Sequence, residues 1–286
     1  MQTCKTAESG SRNFASDGEQ NIRDHIKNFM NFTFPTQSHQ EAFEATVEHF
    51  KKKEGVLAIT LVGSILRSQG SFDADVDVDV FVEDSKAIDT LSSEFDVVGP
   101  SILKGLKDKS DTGRFFDIGL HIRTLNPQPH KRSWTDGPGE FEIELGHSFV
   151  YCEPVFKRGA AYDSAKKKFL PYYNETLRNE RLKEAGTFCL NNIEHIEPYV
   201  KRGLYFQAFE RLHDACKEFL QALFISKRVY PLDYDKWVKY ELVEILKMPG
   251  LYKEFVLLYE LQKLESNELI EKGRHLYELY RKYVKN

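Results

Sequence analysis

Residues 61–83 read LVGSILRSQGSFDADVDVDVFVE, and their alternation decides the fold. Leu61 and Val62 close an apolar run, Gly63-Ser64 break it, and a second run re-enters carrying Asp75, Asp77 and Asp79 separated by single valines. Successive side chains of a strand point to opposite faces. The three aspartates therefore share one face, and Val76, Val78 and Val80 share the other. Aspartate is a poor strand former, and like charges about 6.5–7 Å apart on one face repel. The pattern calls for a counter-charge. A hard divalent cation with oxygen ligands supplies one, and a pair of magnesium ions about 3.5–4 Å apart suits a phosphoryl- or nucleotidyl-transfer site.

Working outward, Val56 to Val62 is apolar, rich in β-branched residues and flanked by Gly55 and Gly63, which reads as a buried strand. Ser38 to Lys53 reads as a helix with Phe43, Val47 and Phe50 inward. A further helical spacing at Ile22, Ile26, Phe29 and Met30 marks residues 17–31, and the polar residues 1–16 read as a frayed terminus. Downstream, Asp84 and Ser85 cap a helix running to about Ser93, and Phe95 to Val98 suggests a short strand. Arg114 to Thr124, RFFDIGLHIRT, alternates again. Asp117, Gly119, His121 and Arg123 face one way; Phe116, Ile118, Leu120 and Ile122 face the other. Residues 126–139 hold three prolines and two glycines and form a loop, and Glu140 to Leu145 alternates as a further strand would.

From Ala165 the periodicity becomes helical. Pro171 suits the first turn of a helix, followed by Leu177, Leu182, Ala185, Phe188, Cys189 and Ile193 at helical spacing, with Arg178, Arg181 and Lys183 read as a solvated face. A long apolar face from Ala208 to Phe224 leaves Arg211, Asp214, Lys217 and Gln221 outside it, and helices at about 233–247, 251–264 and 266–284 follow. The expected organisation is α+β: a mixed-sheet domain over residues 1–165, then an all-α helical bundle over residues 166–286, divided where YDSAKKK interrupts the apolar pattern. With 44 acidic and 40 basic residues the net charge is −4, which argues against a dedicated nucleic-acid binder. Cys4, Cys152, Cys189 and Cys216 form no CxxC pair and read as reduced cytoplasmic thiols. No apolar run approaches the length of a membrane span, and the N-terminus has no secretory h-region.

Gly63-Ser64, ten intervening residues ILRSQGSFDA, and then DVDV resemble the signature of the polymerase β-like nucleotidyltransferase superfamily. Asp117 in RFFDIGLHI stands where the family has its third acid. The sheet-then-bundle order and the segment RLHDACKEFLQALFISKRVYPLDYDKW look like the small-molecule branch of aminoglycoside and lincosamide nucleotidyltransferases, associated with antibiotic resistance. The resemblance implies that Asp75 and Asp77 hold Mg2+, with two ions in the site, and that Asp117 either shares a metal or takes the proton of the attacking hydroxyl. It further implies that Gly63 and Ser64 cradle the phosphates of ATP or another nucleoside triphosphate, assisted by Arg67 and, across the cleft, by Lys236. The implied acceptor is a small hydroxylated molecule. Ser68 and Ala74 depart from the family's usual Gly and Ser, and Asp79 opens a second frame, Asp77-Val78-Asp79, which also satisfies the signature.

Competing readings are a calcium loop from Asp73, in which Val78 replaces the required Gly and Asp84 the bidentate Glu, and an edge strand charged against aggregation. Among functions, adenylylation of a protein or RNA, or nucleotide binding without turnover, compete with small-molecule transfer. No Walker GxxxxGK[ST], GxGxxG after a strand, HExxH or GxSxG motif is present.

Overall fold

The structure, a computed structural model, describes residues 33–107, 109, 111–134 and 136–284. The expected helix at 17–31, the terminus before it and Cys4 lie outside the described residues.

Four strands form one mixed sheet: β1 (Val56–Leu61), β2 (Val76–Val82), β3 (Ile118–Thr124) and β4 (Pro154–Lys157). Their order is β3-β2-β1-β4. β1 runs antiparallel to both β2 and β4, and β2 pairs with β3 in parallel, in register from Val76 opposite Ile118 to Val82 opposite Thr124. β4 escaped the sequence reading because it is short and begins with Pro154, a residue tolerated at the first position of an edge strand. Helix α1 (Gln37–Phe50) packs on β1 and β2, and on α3 (Lys86–Lys107). A single helical turn, α2 (Gly63–Leu66), follows β1.

Val76, Val78 and Val80 are fully buried, as the alternation requires. The opposite face of β2 changes character along its length. Asp75 is exposed, Asp77 half-buried, Asp79 1% exposed and Phe81 fully buried. What closes that face is the segment expected as a strand from Glu140. It is instead a helix, α4 (Phe141–Leu145), running into a π-helical turn at Gly146–Val150. Phe141, Leu145 and Phe149 recur every fourth residue, a spacing that six alternating residues conceal. Phe149 and, from α5 (Ala161–Phe169), Tyr162 each bring a ring centroid to 5.4 Å from that of Phe81. Likewise Phe95 to Val98 is not a strand but part of α3, where Leu91, Phe95, Leu103 and Leu106 make one buried stripe. Asp84 does accept from the Lys86 backbone N–H (3.0 Å) at the start of that helix.

The C-terminal part is helical: α6 (Glu175–Lys201), α7 (Tyr205–Lys227), α8 (Val238–Tyr240) continuing into a π-helical turn at Glu241–Ile245, α9 (Pro249–Leu257) and α10 (Glu268–Tyr283). α6 and α7 pack along each other and α10 lies against both. Pro171 sits in the connection, not in a helix; α6 starts four residues later, where the Asn174 side chain accepts from Leu177 N–H. Two apolar cores result, one on the sheet and one among the helices, and Phe224, Tyr230 and Leu232 of the helical part belong to the first. Among the described residues no helix is long and apolar enough to cross a membrane.

Two positions assigned to solvated helix faces are buried instead. Arg181 (3% exposed) donates through Nε and Nη2 to Oε1 and Oε2 of fully buried Glu142, both at 2.8 Å. Gln221, also fully buried, donates to Glu142 Oε2 (2.9 Å) and to Gly139 O (3.0 Å). Tyr173 completes the set, its hydroxyl donating to Glu142 Oε1. A second buried pair, Arg132 with Glu218, ties the 126–139 loop to α7. Long polar side chains on a helix read as solvated only until a partner from a distant segment is known. Lys183 is exposed as expected.

Candidate active site

Asp77 is the centre of the site. Its carboxylate is held between two glycines: a Cβ on Gly63 would overlap Oδ2, and a Cβ on Gly119 would come within 2.5 Å of Oδ1. Gly63 is also the turn residue, at φ +75°, a conformation that favours glycine. The backbone locks this geometry, since Val62 N–H donates to Asp77 O and Val76 N–H to Asp117 O, both at 2.9 Å. Burial first, and the Asp75 charge second, push the Asp77 carboxyl up to about 6. Asp75 is itself raised, by burial and by the neighbouring Asp117. Lys236, from the loop before α8, faces both carboxylates and offsets part of their repulsion.

The structure thus brings Asp75 and Asp77 together at the start of β2, with Asp117 beside Asp75 at the start of β3. Asp117 is exposed, and its Oδ1 accepts from its neighbour Ile118 N–H (2.8 Å). Among the described residues no three His, Cys, Asp or Glu side chains close into a metal cage. Magnesium does not require one: it keeps several waters and is bound through one or two carboxylates together with substrate phosphates. Two hard oxygen donors whose ionised forms are disfavoured by burial and mutual repulsion fit that role.

Asp79 is engaged elsewhere. Its Oδ2 accepts from Ser148 Oγ (2.6 Å), and its Oδ1 lies 3.3 Å from His121 Nδ1 and 3.4 Å from Arg123 Nη2. Burial opposes its ionisation, but His121, Arg123 and Ser148 outweigh that and hold it below the ordinary carboxylate range. Of the two frames the signature allows, Asp79 is therefore the acid already supplied with partners by the protein, Ser148, His121 and the cationic Arg123.

A cleft of about 730 Å³ opens over Asp77 and Asp79. Gly63, Ser64 and Arg67 from the turn after β1 line it together with Asp233, Lys236 and Trp237 from the loop before α8; β3 supplies His121 and Arg123, and the 126–139 loop supplies Gln128 and His130. No family model and no curated protein matches this chain. Among solved structures, a nucleotidyltransferase-like protein from Exiguobacterium sibiricum 255-15 is similar over 86% of this chain and 77% of its own length, at 16% identity and a TM-score of 0.43. The site residues are accordingly assigned from the geometry of this chain.

Arg67 lies in the cleft wall with its guanidinium carbon 4.6 Å from the Trp237 ring centroid and its buried Nε without a hydrogen-bond partner. Burial lowers its pKa from the ordinary arginine value, against the pull of Tyr240, Asp77 and Glu241. A cation so placed suits an incoming anion. The Lys236 loop is held by Glu241, fully buried, whose Oε1 accepts from Leu232 N–H (2.5 Å) and Asp233 N–H (3.0 Å). His147, also lining the cleft, is pulled down to about 4 by burial and stays neutral. Arg123, His147 and Glu241 were not singled out in the sequence. Each reaches the site through the π-helical turns or through strand pairing, and neither leaves a local motif.

Proposed function

We propose that this protein is a magnesium-dependent nucleotidyltransferase, moving a nucleoside monophosphate, AMP from ATP in the first instance, to a hydroxyl of a small antibiotic-like acceptor with release of pyrophosphate. The observation that carries the proposal is the Asp75–Asp77 pair, crowded and lifted in pKa, with Asp77 lining one cleft together with the Gly63-Ser64 turn and two cations, Arg67 and Lys236. Asp75 and Asp77 would hold magnesium, with Asp117 the third acid at its edge. Magnesium would neutralise charge on the triphosphate and on departing pyrophosphate. Gly63 lets backbone amides approach the phosphates, Ser64 adds a donor, and Arg67 and Lys236 bring positive charge to them. The acceptor would occupy the part of the cleft over His121, Arg123 and the 126–139 loop. Apolar side chains lining the cleft, Leu120, Ile122, Phe141 and Ile143, favour a small acceptor over a nucleic acid.

Two measurements test this. Magnesium with a non-hydrolysable ATP analogue is expected to raise the melting temperature by mass action, and neither component alone should do so to the same extent. Asp75→Asn combined with Asp77→Asn should remove the metal-dependent part; an undiminished shift in that double variant would place the metal elsewhere. In Gly119→Ala the added methyl meets Asp77 Oδ1 without backbone strain, since the φ of Gly119 is not in the left-handed region. The melting temperature without ligand should then stay within a few degrees of the unaltered protein, while the magnesium-analogue shift shrinks several-fold. Equal shifts would show that the Asp77 position is immaterial to metal and nucleotide. Pyrophosphate release from ATP, GTP, CTP and UTP with a panel of hydroxylated acceptors then identifies the substrates.

A further inference from the structure

The face shared by β2 and β3 has a second occupied layer just inside the Asp75–Asp77 pair. Strand pairing sets Asp79 opposite His121, one step along from Asp77 opposite Gly119. Gly119 has no side chain, so on β3 nothing stands between the Asp77 carboxylate and the imidazole. His121 lines the cleft with 51% of its side chain exposed, whereas the Asp79 behind it is 1% exposed. Nδ1 faces Asp79 Oδ1 at 3.3 Å, and that oxygen has no aligned hydrogen bond. Such contacts are often loose before substrate binds and tighten in the reactive complex. A buried carboxylate at Nδ1 selects the tautomer with the proton on Nδ1 and leaves the Nε2 lone pair available. Ser148 fixes the other oxygen of Asp79, and Arg123 is steadied by Glu144 Oε1 (3.1 Å).

We propose that His121 is the group that takes the proton from the attacking hydroxyl, with Asp79 as its positioning residue. The inference rests on the nucleotidyltransferase reading above. The acceptor oxygen forms its bond to the α-phosphorus as the bond to the β-phosphate oxygen breaks. Pyrophosphate leaves with that electron pair, and the hydroxyl proton passes to His121 Nε2. The resulting imidazolium faces the Asp79 carboxylate. Asp117, turned onto Ile118 N–H at the exposed strand start, is left as the third acid. The charged groups facing His121 are Asp79 and Asp77 from β2 and Arg123 from β3, with Glu144 of α4 reached through Arg123. The attraction of the Asp79 carboxylate at 3.3 Å leads, and the net effect raises the imidazole above its ordinary value of 6.5.

The rate of pyrophosphate release from magnesium ATP with the best acceptor of the panel should rise with pH through a group titrating above about 6.5. His121→Asn keeps a donor toward Asp79 but cannot accept the proton. It should lose that limb and fall by roughly 10²–10⁴ in kcat, while KM for ATP and the thermal shift with the magnesium-bound analogue stay within a few-fold. Free imidazole should restore part of the rate in His121→Ala, and Asp117→Asn should keep the limb. In the ligand-free protein, the His121 ring resonances should report the Nδ1–H tautomer, and Asp79→Asn should lower their titration midpoint. An unchanged limb and kcat in His121→Asn would overturn the assignment and leave the nucleotidyltransferase reading standing. Loss of the thermal shift in that variant would overturn it too, by making His121 part of nucleotide binding. No pyrophosphate from the unaltered protein with any acceptor would overturn both.

Discussion

If Asp77 holds magnesium as proposed, Asp77→Asn is expected to lower turnover by at least about 10³-fold, because it would remove a metal ligand worth several kcal/mol of transition-state stabilisation. The same substitution should make the protein more stable without metal. The folded-state pKa of Asp77 is raised from 3.8 to about 6. Its contribution to stability is thus fully present below pH about 3.8 and is lost as pH rises through about 6. At pH 7 the ionised carboxylate is a cost to the fold, and Asn removes that cost while keeping the shape. Thermal unfolding at pH 7 with and without magnesium, beside pyrophosphate release, reads both effects. A carboxylate with a structural task would give the opposite pattern: lower stability on replacement, with activity falling only in proportion. That result would remove Asp77 from the centre of the site.

Arg181→Met should produce the largest stability loss of any single substitution considered. It strands Glu142, which is fully buried, and breaking one side of a buried pair costs about 3–5 kcal/mol. For a chain of this length each kcal/mol is worth roughly 2–4 °C, so the melting temperature should drop by roughly 6–20 °C. Gln221 and Tyr173 also donate to Glu142 and keep two of its four bonds, which places the expected value toward the lower end. The double variant Arg181→Met with Glu142→Leu should recover much of the loss, since an apolar pair of similar volume can replace a buried ion pair. A single variant that melts within 2–3 °C of the unaltered protein, corresponding to about 1 kcal/mol, would mean that water already solvates the pair.

The strand pattern was legible because its signal is local. Alternation over Asp75 to Val82 and over Arg114 to Thr124 predicts which side chains share a face, and the parallel register sets those faces side by side. The α+β order of sheet and helices was legible for the same reason. The segments at Phe95 to Val98 and Glu140 to Leu145 were misread because four to six residues fit both a period of two and a fragment of a period near four. Only the longer stripes, Leu91 to Leu106 and Phe141 to Phe149, separate the two. The sequence also left Asp79 ambiguous. Its role depends on Ser148, 69 residues away, and on His121 and Arg123 from a neighbouring strand. The burial of Arg181 and Gln221 rests on Glu142, 39 and 79 residues away respectively, and no pattern within α6 or α7 announces that partner.

The DVDVDV repeat has a consequence for how the sheet finds its alignment. Sliding β2 by two residues past its neighbours would return every side chain to its own face and swap Asp for Asp and Val for Val, so the repeat alone cannot say where the strand should stop. Its end can. Phe81 fits between Phe149 and Tyr162, and a slide in one direction would drive a carboxylate into that aromatic slot, while a slide in the other would push Phe81 into the polar niche of Ser148 and Arg123. A strand made of interchangeable units is thus indexed by the one unit that is different, and the acids at its open end are delivered to their places by a phenyl ring at its closed one.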